Sequence, residues 1–273
     1  MALENVPRST VHDKALPRLV RQDAWWAEPA MVVAVLLAFT VYVTFRAFEN
    51  DFYLVQTSAG HIVGNYLSPF YSPLISTRWM LFGKHISPAI FILPFPLVFR
   101  ATCYYYRKAY YRAFFGDPTA CAVPEAIKRP NYTGEREFPF TLQNLHRYAF
   151  YFGAIIVAIL WYDAALAFTT TVNGATHFYV GLGSLIFLAN IVLLSLYTFS
   201  CHSFRHLTGG CVNCFSCSSG NKARHGFWQR ITHWNENHQR WAWLSLFSVM
   251  LVDFYVRCLA TGAFHDIPLI SPH

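Results

Sequence analysis

Charge is scarce in this sequence. Lys, Arg, Asp and Glu together make up 13% of 273 residues, about half the ~25% of an ordinary soluble domain. A soluble fold this poor in charge would present a surface that water could not solvate, so a freestanding soluble domain is excluded and lipid is the expected surrounding. No glycine fingerprint for a nucleotide is present and no flavin site is recognisable, which excludes oxidation of a soluble substrate by this chain alone. Internal repeats and low-complexity tracts are lacking too. No cleavable signal peptide is expected, because residues 1–28 are polar and carry Pro7 and Pro17; this segment reads as a cytoplasmic lead-in. The seven cysteines lack the even, spread spacing of a secreted disulfide scaffold.

What is present is apolar bulk: 55% hydrophobic and 18% aromatic residues. The pattern predicts an all-α membrane protein of about five transmembrane helices in a bundle, with spans near 30–48, 86–106, 145–168, 177–200 and 236–258. They form one domain over 29–262, followed by an outer tail at 263–273. Pro88, Pro94 and Pro96 predict kinks in the second span, and Asn173-Gly174 a very short turn between the third and fourth. Gly209 and Gly210 mark the expected stop of the fourth.

The net charge of +7 is not gathered on one stripe, which argues against nucleic acid as a partner. Basic residues sit instead at the edges of the apolar runs. The lead-in has four Lys and Arg, the stretch from Arg107 to Arg147 seven, and the stretch from Arg205 to Arg240 five. The other side has only Arg78, Lys84 and Arg257. The amino terminus is therefore expected inside and the carboxyl terminus outside, in a multi-pass plasma-membrane protein.

Four cysteines fall within the 17 residues from Cys201 to Cys217. His202 and His206 are four apart and share a helix face, Cys214 and Cys217 form a Cys-x-x-Cys pair, and His233 and His238 lie at the start of span five. Thiolate with imidazole suits zinc or iron–sulfur. Two of each also match the ligand set of a Rieske-type [2Fe–2S] centre. The metal ligands expected are His202, His206, Cys214 and Cys217, with Cys201 and His238 as substitutes. Cys103, Cys121 and Cys258 are expected to be inert. Structural zinc, haem b on the histidines, and free thiols beside hydrogen-bonded histidines are the competing readings. Asp163 and Asp253 are intramembrane carboxylates and functional suspects for that reason; with the histidines they also suit a transporter or proton pathway.

The segments Ser200-Cys201-His202-Ser203-Phe204-Arg205-His206-Leu207-Thr208-Gly209-Gly210 and Trp234-Asn235-Glu236-Asn237-His238-Gln239-Arg240-Trp241-Ala242-Trp243 resemble the membrane-anchor (cytochrome b-type) subunit of succinate dehydrogenase/fumarate reductase in its actinobacterial form. The resemblance implies a flavoprotein and an iron–sulfur subunit docked on the cytoplasmic face, in a complex that could form a higher oligomer. It also implies a membrane quinone, menaquinone or ubiquinone, as electron acceptor. Span one has no histidine, which departs from the two-haem pattern of five-span anchors and favours the Cys/His centre as relay. Arg205, His146, Tyr106 and Trp241 are the inner-side candidates for donors to the quinone carbonyls.

Overall fold

A computed structural model describes residues 24, 26–57, 61–75, 80, 81, 84, 85, 87–110, 113, 114, 136, 138, 140–210 and 212–272. Nearly all of segment 1–28 and of the loop 116–139, with Cys121 and Cys211, lies outside the described residues.

Four helices are long and apolar enough to cross a bilayer: α1 (Ala27–Glu49), α5 (His146–Leu166), α6 (Leu182–Phe199) and α9 (His238–Ala260). The 23 residues of α1 rise roughly 34 Å at about 1.5 Å each, enough for a hydrocarbon core of ~30 Å. The expected second span is not one helix. It is α2 (Ala89–Ile92), α3 (Pro94–Ala101) and α4 (Tyr104–Tyr110). Prolines lack the N–H that continues a helix but suit its first turn, so Pro94 ends one piece and opens the next.

The expected fourth span is shorter than its apolar run. Residues Thr169–Val172 (β1) and Ala175–Phe178 (β2) form a hairpin ahead of α6. Asn173 and Gly174 both have positive φ, 51° and 80°, the type I′ geometry that Asn-Gly favours. At its other end α6 stops at Phe199, and Cys201 caps a separate helix, α7 (His202–Gly209). His202 and His206 therefore share a face, but on α7, not on a continuing span. A polar helix, α8 (Ser219–Glu236), then leads into α9.

The α6–α9 pair is the most extensive helix contact, with α5 packed on α6 and α3 on α5. Gly153 makes the α3–α5 approach possible: a Cβ there would stand 3.0 Å from the Phe99 ring. Residues 263–272 are tied down rather than free. Pro268–Ile270 (β3) pairs with Val180–Gly181, and Asp266 accepts hydrogen bonds from Tyr66 (2.6 Å), Tyr179 (2.9 Å) and Tyr255 (2.6 Å).

Candidate metal centre

The ligand set read from the sequence does not come together. Cys214 and Cys217 are bonded to each other, and a disulfide has no thiolate to offer a metal. His202 and His206 face one another, Nε2 to Nε2 at 3.0 Å, on exposed positions of α7. Burial of part of its ring, then the neighbouring His206 and Arg205, holds His202 below the ordinary imidazole range. His233 is exposed on α8 and pairs with Glu236 at 3.5 Å.

A different Cys/His group is buried. Cys103, His146, Cys201 and His238 all line one cavity of about 300 Å³ at the end of the bundle where α3–α4, α5, α6–α7 and α9 meet. Cys103 and Cys201 are 1% exposed and His238 2%, so these are interior side chains. Two of them, Cys201 and His238, are the substitutes named above; Cys103 was expected to be inert, and His146 was assigned to quinone.

The arrangement crosses over. Thr102 Oγ1 bonds His146 Nδ1 at 2.9 Å and Ser200 Oγ bonds His238 Nδ1 at 2.7 Å. Cys201 Sγ faces His146 Nε2 at 3.0 Å, and Cys103 Sγ faces His238 Nε2 at 3.4 Å. Each hydroxyl also donates to a backbone carbonyl, Thr102 to Val98 at 2.7 Å and Ser200 to Tyr197 at 3.4 Å. With those protons on the carbonyls, each hydroxyl accepts from Nδ1–H, the tautomer that leaves both Nε2 lone pairs turned towards the thiols. A ligating histidine is held in this way, by a partner on its other ring nitrogen.

Three or more His, Cys, Asp or Glu side chains do not close on a single-ion position among the described residues, so a mononuclear zinc finds no cage in them. The four donors form two thiol–imidazole contacts, the hydrogen bonds such groups make with each other. A diiron cluster takes two donors on each of two irons, and two cysteines with two histidines around one cavity fit that chemistry. Phe99 lies on His146 at 5.0 Å and 4°, and Tyr197 on His238 at 5.1 Å and 21°, so aromatic rings stack on the faces of both imidazoles and leave their Nε2 edges towards the cavity.

A signal for this group exists in the sequence. A hydroxyl residue directly before a cysteine recurs as Thr102-Cys103 and Ser200-Cys201, at the expected inner ends of spans two and four. His146 and His238 open the expected spans three and five at the same depth.

The four quinone candidates separate. Tyr106 Oη donates to the Ala242 carbonyl and accepts from Arg100 at 2.8 Å, so it is committed to the fold. His146 belongs to the cavity. Trp241 Nε1 and Arg205 Nε are buried with no hydrogen-bond partner among the described residues; the Arg205 guanidinium lies 4.8 Å over the Trp228 ring.

The intramembrane carboxylates lie away from the cavity. Asp253 is fully buried and accepts from Arg46 Nε (2.8 Å), Tyr42 Oη (2.5 Å) and Ser68 Oγ. Arg46 also reaches Glu49, which pairs with Arg257 at 2.7 Å. Asp163 accepts from Ser72 Oγ. Ser68 and Ser72 flank one short turn, Pro69–Tyr71, so the two carboxylates pin the α1–α2 connection to α5 and α9.

The family described as actinobacterial succinate dehydrogenase subunit SdhC matches residues 27–262. A chain of the Mycobacterium smegmatis Sdh1 complex in the apo form is 41% identical, with a TM-score of 0.78, covering 93% of this chain and 95% of that one. No curated protein matches.

Proposed function

Since the chain belongs to the actinobacterial succinate dehydrogenase SdhC family, and is thus the membrane-anchor subunit of an oxidoreductase complex, we propose that it carries electrons from a partner iron–sulfur subunit to a membrane quinone through a Cys/His-ligated [2Fe–2S] centre. Cys103, Cys201, His146 and His238 are the residues that would hold it. The observation that carries this reading is their convergence on one cavity, with both Nδ1 atoms anchored by Thr102 and Ser200. When bound, a cluster with two imidazoles supplies a one-electron carrier of raised reduction potential.

The chain's own residues do the rest. Thr102 and Ser200 fix the two imidazole tautomers. Phe99 and Tyr197 cover the ring faces and exclude water. Trp241 and Arg205 offer N–H donors to quinone carbonyls, menaquinone or ubiquinone. The basic segments at this end of the bundle support its assignment to the cytoplasmic face, where the flavoprotein and iron–sulfur subunits would dock.

The test is EPR of the reduced, purified complex together with iron and acid-labile sulfide counts, wild type against Cys103→Ser, Cys201→Ser and His146→Ala. A low mean g value, lost with two irons in each variant, supports the assignment. Equal iron in all four preparations removes it.

A further inference from the structure

Two arginines on the apolar helices of the bundle, Arg46 and Arg257, have carboxylate partners. Arg46 is fully buried against Asp253 and Glu49, and Arg257 pairs with Glu49. Arg100, on α3, is different. Its guanidinium reaches into the bundle and donates to Tyr106 Oη (2.8 Å), the Ala242 carbonyl (3.2 Å) and Ser245 Oγ (3.0 Å). It lies 4.7 Å over the Tyr197 ring. Every one of these partners is neutral, and among the described residues no carboxylate pairs with Arg100. A positive charge at this depth without an anion is costly, and an uncompensated one marks a place where negative charge arrives.

The direction it faces is set by its neighbours. Tyr197, under the guanidinium, stacks on His238 at 5.1 Å, and Arg100 precedes Cys103 by three residues at the same helix end. One aromatic ring therefore separates the cation from the Cys/His cavity.

We propose that Arg100 is the counter-charge for the electron held by the Cys/His centre, a positioning residue that raises the centre's reduction potential. The inference rests on the [2Fe–2S] reading above. Two ferric irons, two sulfides, two thiolates and two neutral imidazoles carry no net charge. One electron from the partner iron–sulfur subunit reduces one iron to ferrous and leaves one negative charge, which Arg100 stabilises across the Tyr197 ring. No proton need accompany it, because the compensating charge is already in place.

The experiment is a redox titration of the low-g EPR signal in the purified complex, for wild type, Arg100→Lys, Arg100→Gln and Ser245→Asp. Ser245→Asp puts a carboxylate beside the Arg100 guanidinium, neutralising it without removing it. At the wild-type midpoint potential, Arg100→Gln and Ser245→Asp are expected to lower the reduced-to-oxidised ratio on the order of tenfold, with Arg100→Lys close to wild type. An unchanged ratio in whichever neutralised variant retains the signal overturns the proposal. So does an equal fall in Arg100→Lys, since packing and not charge would then be the cause. A lower yield of quinone radical with an unmoved cluster ratio would assign the charge to quinone instead and equally overturn it. Absence of the low-g signal from wild type refutes the underlying centre, a result distinct from any of these.

Discussion

The Arg46–Asp253 pair is the sharpest test of how this bundle is held together. Both side chains are 0% exposed, and Asp253 accepts from Arg46, Tyr42 and Ser68 at once. Asp253→Ala leaves a buried guanidinium with Glu49 and the Asp51 and Phe52 carbonyls and strips Tyr42 and Ser68 of their acceptor. Removing one partner of a buried pair costs about 3–5 kcal/mol. At about 2–4 °C per kcal/mol for a chain of this size, the loss corresponds to roughly 10 °C. Thermal scans of the detergent-solubilised complex at one fixed rate read this directly. The double variant Arg46→Met/Asp253→Leu, which exchanges the pair for apolar side chains, is expected to recover at least half of the loss, because no charge is left stranded. An Asp253→Ala complex as stable as wild type refutes the reasoning. An Asp253→Asn complex of wild-type stability that no longer reduces quinone would do so from the other side, by showing the carboxylate to be a proton carrier and not a staple.

Other outcomes follow from the site. Cys214→Ser and Cys217→Ser, alone or together, are expected to leave the iron content and EPR of the complex unchanged, since that pair stands apart from the cavity. Trp241→Phe removes an N–H that is buried and has no partner among the described residues; losing one hydrogen bond to quinone, ~0.5–1.5 kcal/mol, is expected to raise KM for quinone several-fold with the iron count intact. His202 is held below the ordinary value of ~6.5, so the unfolded chain takes up a proton before the folded one does. Stability from this group is present above that value and declines as pH falls through it towards the lowered folded value. Thermal scans between pH 8 and 5 should show that loss in wild type and a smaller one in His202→Asn.

Much of this was legible in the sequence, and the failures have physical causes. Spans one, three, four and five read out as long apolar runs because lipid imposes that composition over about 20 residues. The broken second span was signalled by Pro88, Pro94 and Pro96, and the expected end of span four near residue 200 agrees with the end of α6 at Phe199; the break that makes His202–Gly209 a separate helix was not foreseen, the stop having been read at Gly209-Gly210. The metal ligands were sought where cysteines cluster, at Cys214 and Cys217 with His202 and His206. Short spacing, however, brings cysteines near one another without burying them. A buried centre in a bundle draws one ligand from each of several helices at one depth, and Cys103, His146, Cys201 and His238 are scattered along the chain for that reason. Arg100 was passed over because a single arginine inside an apolar run reads as a defect until its neighbours are seen.

The most direct test of the central assignment is a high-resolution density map of the assembled complex at the cavity between Cys103, His146, Cys201 and His238. A compact, strongly scattering feature contacted by both sulfur atoms and both Nε2 atoms is expected there, with Thr102 and Ser200 on the Nδ1 atoms. Continuous protein density alone, with each thiol hydrogen-bonded to its facing imidazole, would contradict the assignment.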